Sequence, residues 1–450
     1  MKMKRKNIPS FSEVMFPVFA TADVVVCGGG PAGVAAALSA ARTGASVVLL
    51  EQCICCGGMS TQGLVPAMIH LSDRENMVSA GIALEIAEAM CHDMGQEHVH
   101  PIWQTIDPEV LKRVYDTKLK AAGVHVCFGT RIADVCMHGR KIQSVLVSAP
   151  DGLQQVTGTI FIDATGDGMI ACLAGNTYES GDENAEVMGP TLCSQYSNLN
   201  IPLLKGAACE MGQNIQMLWE QHKAEFGLEW ETHFVGISSY GNGTASGNLG
   251  HIYGTNPLKP DDYSHACAEG RRIAEAIHRF YRKYVPGCEN CDLVSTADLL
   301  GVRESRRICG DYVMTIDDYM EKRHFEDEIG CFFYPVDLHA SKKVTNAWKT
   351  VEAKMKLTSQ LYRPGENYGI PYRALIPSEL DNVLIAGRCI STDREVLSSL
   401  RVMPCCMITG AAAGAAAALV KDTGLVRSVD THILRESLRK QGAWLPDVVL

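Results

Sequence analysis

The chain has no surplus of basic charge. Against 51 acidic residues it carries 41 lysines and arginines, a net charge of −10. It therefore offers no positive footprint for a phosphate backbone, and nucleic acid is not expected as a partner. It also has no H-x-x-x-H to accompany the C-x-x-C of Cys288 and Cys291. A structural zinc needs four ligands and a redox pair needs an activating helix N-terminus, so neither thiol is expected to bind metal or shuttle electrons. The apolar run Gly410–Val420 is too short to span a bilayer and reads as a closely packed helix. The basic start MKMKRK leads into residues 14–22, but Glu13 and Pro17 break the apolar character that an export signal needs. That stretch reads as a short leading strand. The 18 cysteines, mostly inside apolar runs, then read as buried or free thiols in a reducing cytoplasm rather than as a disulfide framework.

What the chain does have is the stretch from Asp23 to Glu51, DVVVCGGGPAGVAAALSAARTGASVVLLE. Val24, Val25 and Val26 form a β-branched run without polar alternation, as a parallel strand covered on both faces requires. Gly28, Gly30 and Gly33 complete G-x-G-x-x-G: the first permits the tight turn, the second lets backbone N–H groups approach a pyrophosphate, the third lets the helix close on the sheet. Alanines 32, 35, 36, 37 and 40 continue that close packing, and Gly44 stops the helix before a second strand, Ser46 to Leu50. Glu51 follows Gly33 by 18 residues, where a carboxylate takes the adenosine ribose hydroxyls. The whole is a dinucleotide-binding βαβ unit. An acid at Glu51 also argues against a bound 2′-phosphate, hence against NADP.

Asp107 is expected to cap a helix opening at Pro108 and closing at Gly123, and Pro150-Asp151-Gly152 to turn a hairpin between Lys141–Ser148 and Val156–Ile162. The latter strand runs into Ala164-Thr165-Gly166-Asp167. From about Asn176 to Pro260 short polar and aromatic stretches predict antiparallel strands, followed by a long helix from Asp261 or Asp262 to the Pro286-Gly287 stop. LGVRESRR predicts that Arg303, Arg306 and Arg307 share one helical face suited to a carboxylate or phosphate; the alternative is a structural network in which Glu304 pairs with them. A late buried strand ends at Gly387-Arg388, and Arg401-Val402-Met403-Pro404 opens the alanine-rich helix.

The three-glycine start GGGPAG, the Glu51-Gln52 pair and Gly57-Gly58 resemble FAD-binding flavoproteins. Together with IDATGDG, LGVRESRRICGDYVMT, YGIPYRALIP, LDNVLIAGRCIS, SLRVMP and LRKQGAWLP, the chain resembles the FAD dependent oxidoreductase family of bacterial flavoproteins nearly end to end. The resemblance implies an α/β fold, a Rossmann-like FAD-binding domain of the glutathione reductase type with an inserted α+β substrate domain. The expected boundaries are 15–175 and 366–425 for the FAD domain, 176–365 for the substrate domain and 426–450 for a tail helix. FAD is then expected on Gly28, Gly30, Pro31, Ala32 and Gly33, on Glu51 and Gln52, and on Gly57, Gly58 and Met59. Further contacts are expected from Ile132, from Ala164, Thr165 and Gly166, from Gly387 and Arg388, and from Val402 and Met403. Ser60 and Val65 stand where disulfide reductases of this class carry a cysteine pair, which excludes that chemistry. Family members often read Thr-His-Glu after GRCIS, where this chain has Asp393-Arg394-Glu395, so Arg394 stands in place of a histidine. Ala411 likewise stands where a glutamine is usual.

The function this implies is hydride transfer between a small polar metabolite, neutral or anionic, and flavin N5, with an unidentified acceptor or donor restoring the flavin. Arg303, Arg306, Arg394 and Arg401 are the candidate catalytic residues, and neither a metal nor a membrane is expected. Two alternatives stay open: a flavin-dependent isomerase or lyase without net redox change, and a non-enzymatic electron-transfer subunit. The lack of an iron–sulfur cysteine spacing counts against the second.

Overall fold

Val24, Val25 and Val26 have no accessible surface and form the centre of β1 (Val18–Cys27), in a computed structural model that describes residues 2–3, 16–231, 236–341 and 361–447. The leading strand expected over 14–22 is the first half of β1 rather than a separate element; residues 14 and 15 lie outside the described part. Gly30 sits at the N-cap of α1 (Pro31–Arg42), whose residues Ala32 to Ala40 are all buried. β2 (Val47–Leu50) returns parallel to β1. Helix α2 (Ile82–Asp93) and helix α3 (Pro108–Ala121) follow, the latter capped by Asp107 through the Glu109 and Val110 amides. β3 (His125–Cys127) then pairs in parallel with β2.

The next three strands form an antiparallel meander: β4 (Arg131–His138), β5 (Lys141–Ala149) and β6 (Gly152–Asp163). β4 has no counterpart in the sequence reading, because its burial alternates irregularly and its register with β5 shifts twice. β6 also pairs in parallel with β1 along its length.

A second hydrophobic core is built from residues between Leu192 and Leu300. Ile237–Gly241, Thr244–Gly247, Ser194–Ser197 and Asp292–Thr296 form its antiparallel sheet, in that spatial order. The expectation of strands alone over 176–260 was incomplete. A 22-residue helix, α4 (Ile201–His222), lies among them, capped by Asn200 with Pro202 in its first turn. The cap-and-proline signal was present, but Gly206 and Gly212 interrupt the apolar period. The long helix α5 (Pro260–Tyr284) buries Ala266, Gly270, Ile273, Ile277 and Phe280 as its spacing predicts, while Tyr284, expected on the same stripe, is only partly buried.

Ile308, Met314, Tyr319, Ile329 and Phe332 belong to the first core, so by packing the chain leaves the second core after Leu300, well before the boundary expected at 365. Strand β7 (Val383–Ile385) pairs in parallel with β6. Helix α6 (Arg394–Leu400), helix α7 (Met403–Leu419) and helix α8 (Thr431–Lys440) complete the described chain. Among the described residues no single helix is long and apolar enough to cross a membrane; α6 and α7 pass only as a pair bent by 92°. α7 is buried because it lies against α1. A Cβ on Gly410 would stand 2.1 Å from the Ala32 carbonyl oxygen, and one on Gly414 2.1 Å from that of Ala36. The equal four-residue steps make the two helices parallel.

Candidate functional site

β1, β2, β6 and β7 run parallel, so the loops after Cys27, Leu50, Asp163 and Ile385 all emerge at one edge. That edge is where open α/β sheets bind ligands. It gathers Gly28–Gly33, Glu51, Gly57–Met59, Ala164–Gly166 and Gly387–Arg388, residues up to 360 positions apart in the chain.

Gly28 has φ +100°, and a Cβ there would lie 2.6 Å from the Ala164 carbonyl oxygen; a Cβ on Gly33 would lie 1.8 Å from that of Gly28. These two glycines are needed for the turn to close on the returning strand. Gly30 differs: a Cβ there meets nothing within 4 Å. No side chain caps α1 and no acid sits in its first turn, so the first N–H groups face that open space. Glu51, 8% exposed, accepts from the Gly29 amide at 2.6 Å and the Cys53 amide at 2.8 Å. An open glycine, an uncapped helix N-terminus and a fixed carboxylate fit the pyrophosphate and ribose of the expected FAD.

A second uncapped N-terminus lies further on. Val402 is the N-cap of α7, with no side-chain partner and no acid in the first turn. Met403 precedes Gly410 by seven residues, so α7 begins about 10 Å beyond the start of α1 along their common direction. Arg388 and Arg401 both flank Cys406 in that first turn.

Arg388 donates to Asp167 at 2.6 Å and to Ser305 at 2.8 Å, and Ser305 donates to Asp167 at 2.7 Å. Burial pushes the Asp167 pKa up, but Arg388, Ser305 and Arg306 together outweigh it and hold the group lowered. On the other side Arg401 donates to Asp337 Oδ2 at 2.8 Å and to its carbonyl at 2.9 Å. The Asp337 carboxyl, which burial alone would raise, is held far below the usual range by His339 when that ring is protonated, and by Arg401 and Arg303. Both carboxylates lie deep in the molecule, yet their side chains keep 40% and 30% of their surface accessible. Each thus keeps accessible surface beside one of the two arginines that flank the first turn of α7.

The arginine cluster is not helical. Val302 to Ser305 have no regular structure, and Arg306–Ile308 is a strand paired with Tyr178–Ser180. Strand geometry sends alternate residues to opposite sides, and the arginines go separate ways. Arg307 and Arg394 both pair with Glu304, a fully buried carboxylate that also accepts from the Met188 amide. Arg307 thus follows the structural alternative, and Arg394, expected as a catalytic residue, joins the same network. Arg306 donates to the Asp167 carbonyl and lies over the Tyr178 ring. Arg303, 5% exposed, donates to Gly189 O at 2.7 Å, Thr191 Oγ1 at 2.8 Å and Asn248 Oδ1 at 3.3 Å. All three acceptors are neutral, and burial, together with Arg401 nearby, lowers its pKa to about 10.

Among the expected cofactor contacts, Thr165 uses its hydroxyl locally, donating to Asp163 and accepting from the Met169 amide. Gln52 is exposed, and Ile132 is buried in the core opposite Val147. Cys288 and Cys291 are buried in the second core. Their hydrogen bond raises the Cys288 pKa and lowers that of Cys291 to about 7. His324, Glu328 and Cys331 lie within 4.8 Å of one another, but Glu328 already pairs with His324 at 2.9 Å and stands 3.6 Å from Arg435.

Asp337, His339, His251 and His70 were not among the residues expected from the sequence. His70 packs edge-on against Phe333 and Tyr334 at 5.2 and 5.1 Å, and burial, then Arg74, lowers its pKa to about 4. The Asp337-x-His339 spacing is the only local signal of the group.

The family described as FAD dependent oxidoreductase matches residues 23–438. No curated protein matches the chain. Solved structures similar to it include a geranylgeranyl bacteriochlorophyll reductase-like protein from Thermoplasma acidophilum, 11% identical over 94% of this chain and 82% of that one, with a TM-score of 0.42. L-proline dehydrogenase from P. horikoshii is 12% identical over 91% and 95%, with a TM-score of 0.44. p-Nitrophenol 4-monooxygenase from Pseudomonas putida DLL-E4 is 11% identical over 94% and 84%, with a TM-score of 0.42.

Proposed function

The chain belongs to the FAD dependent oxidoreductase family, and on that footing we propose that it moves a hydride between a small anionic metabolite and flavin N5. A second molecule serves as electron acceptor or donor. The enzyme is an FAD-dependent oxidoreductase and FAD is its cofactor. Bound FAD supplies the redox chemistry, while the chain binds, orients and sets the charge around it.

The observation that carries the anionic substrate is Arg303. Among the described residues the hydrogen-bond acceptors of this buried guanidinium are all neutral, with the carboxylates of Asp337 and Glu231 acting on it only through space; that is expensive to maintain, and a substrate carboxylate would relieve it through paired, charge-assisted bonds. Arg401 stands close enough to lower the Arg303 pKa, and the uncapped start of α7 adds a third source of positive potential. Glu51 and the opening N–H groups of α1 would hold the ribose and pyrophosphate, and Gly387 and Arg388 the middle of the cofactor. We take the FAD domain to be of the glutathione reductase type, supported by the β4–β6 meander inserted into the parallel sheet ahead of β7. The cytoplasm is the proposed compartment, in keeping with described cysteines that are all free.

The test is replacement of Arg303 and of Arg401 by lysine, with flavin reduction by a panel of small carboxylic acids followed without oxygen. If either arginine grips the substrate, its variant reduces about 100-fold more slowly while the bound-flavin spectrum stays intact. Unchanged rates in both variants, with lower thermal stability, would place the substrate elsewhere.

A further inference from the structure

Four ionisable side chains outside the cofactor cradle form one continuous chain. The Glu231 carboxylate, fully buried, lies 3.1 Å from His251 Nδ1. His251 Nε2 lies 2.7 Å from His339 Nδ1. His339 Nε2 lies 3.2 Å from Asp337 Oδ2, the oxygen that Arg401 holds. The chain thus begins at the carboxylate beside α7, passes His251, which lines a cleft of about 440 Å³ together with Trp230, Tyr253 and His265, and ends at Glu231.

With both imidazoles neutral, the chain holds fewer protons than it has contacts. It contains three contacts between heavy atoms, and each needs one proton to be a hydrogen bond. Two neutral imidazoles supply two. With Nδ1–H of His251 on Glu231 and Nδ1–H of His339 on His251, the remaining contact sets a bare His339 Nε2 against a carboxylate oxygen. A third proton completes the row.

We propose that Asp337, His339, His251 and Glu231 form a proton relay, which takes up at the Arg401-held carboxylate the proton a substrate loses on oxidation and carries it past the cleft-lining His251 to Glu231. This rests on the hydride-transfer reading. Oxidising a C–H bond beside an N–H or O–H breaks both: the carbon's hydrogen leaves with its electron pair to the flavin the family supplies, a C=N or C=O bond forms, and the heteroatom's proton needs a base. The incoming proton settles between Asp337 and His339 Nε2. His339 then passes its Nδ1 proton to His251 Nε2, and His251 passes its own to Glu231.

The surroundings keep the resting chain short of that proton. Burial lowers the pKa of both histidines; Arg303 adds to this at each, against the opposing pull of Glu231 on His251 and of Asp337 on His339. Tyr253 stacks on His251 at 5.7 Å, and Tyr334 lies beside Asp337 with its own pKa raised by burial. Near neutral pH the row is therefore a vacant acceptor, and a third proton once taken is readily passed on.

The test uses the full-length protein labelled with ¹⁵N at histidine, and separately its flavin midpoint potential measured against pH by dithionite titration, which needs no substrate. The His251 and His339 ring nitrogens should titrate together in a single transition below the ordinary imidazole value of about 6.5. The potential should change slope at that pH in the wild type and in His265→Asn, and lose the inflection in His251→Asn and His339→Gln. Independent titration of the two rings, or an identical slope in wild type and both chain variants, would overturn the relay. Because neither readout uses a substrate, failure to find an oxidisable metabolite would sink the hydride-transfer reading without imitating either result.

Discussion

Gly30 and Gly33 belong to one motif yet are predicted to fail differently when replaced by alanine. Gly30 has φ −67° and ψ −176°, which any residue adopts, and a Cβ there has nothing within 4 Å. Replacing it removes unfolded-chain entropy, a gain of about 0.4–1 kcal/mol. Alanine is a poorer N-cap than glycine, however, a loss of about 0.5–1 kcal/mol. The two offset, so Gly30→Ala should leave stability unchanged within about 0.5 kcal/mol. The new methyl would nonetheless fill the space the pyrophosphate needs, a crowding of about 1–3 kcal/mol, or about 5- to 150-fold in FAD affinity. Gly33→Ala puts its Cβ 1.8 Å from the Gly28 oxygen, so helix and turn must separate, at about 3 kcal/mol or more. Urea unfolding of the flavin-free proteins and FAD titration by flavin fluorescence measure both quantities. A Gly30→Ala protein that binds FAD as tightly as the wild type would refute the placement of the pyrophosphate.

Glu51→Ala should weaken FAD binding about tenfold or more through loss of the ribose acceptor. Because Glu51 also holds the Gly29 and Cys53 amides, the same change should lower the urea midpoint, whereas Glu51→Gln should recover part of the stability. Asp393, whose carboxylate accepts from the Val396 and Ile316 amides, has its pKa raised by burial to about 6. The folded protein thus holds this proton more tightly than the unfolded chain, and stability falls as pH rises from about 4 to 6, by at most about 3 kcal/mol. In Asp393→Asn this contribution should vanish, seen as a difference from wild type in urea unfolding across that window; equal pH profiles would show that the carboxyl is not raised.

The dinucleotide cradle was legible because its demands are local. Gly28, Gly30 and Gly33 answer to steric constraints within a few residues, and Glu51 closes a single βαβ unit. The arginines were misplaced because helix and strand compete over Val302–Ile308, and the pairing of Arg306 with Ser180 that decides it lies 126 residues away. Glu304 was rightly suspected as a partner, since a glutamate amid arginines needs no long-range knowledge. Asp337, His339, His251 and Glu231 were invisible for a different reason. They come from three separated segments, and neither a histidine nor a carboxylate shows in sequence which distant group will stand 3 Å away.

The most direct measurement is stoichiometric anaerobic reduction of the purified holoprotein by a panel of small amino and hydroxy acids, each offered with hydrogen or deuterium on the carbon to be oxidised. One of them should bleach the flavin, one equivalent of substrate oxidised per flavin, and deuterium should slow the bleaching. Product formed while the flavin spectrum stays constant, with no equivalent of substrate oxidised, would contradict hydride transfer and favour chemistry without net redox change.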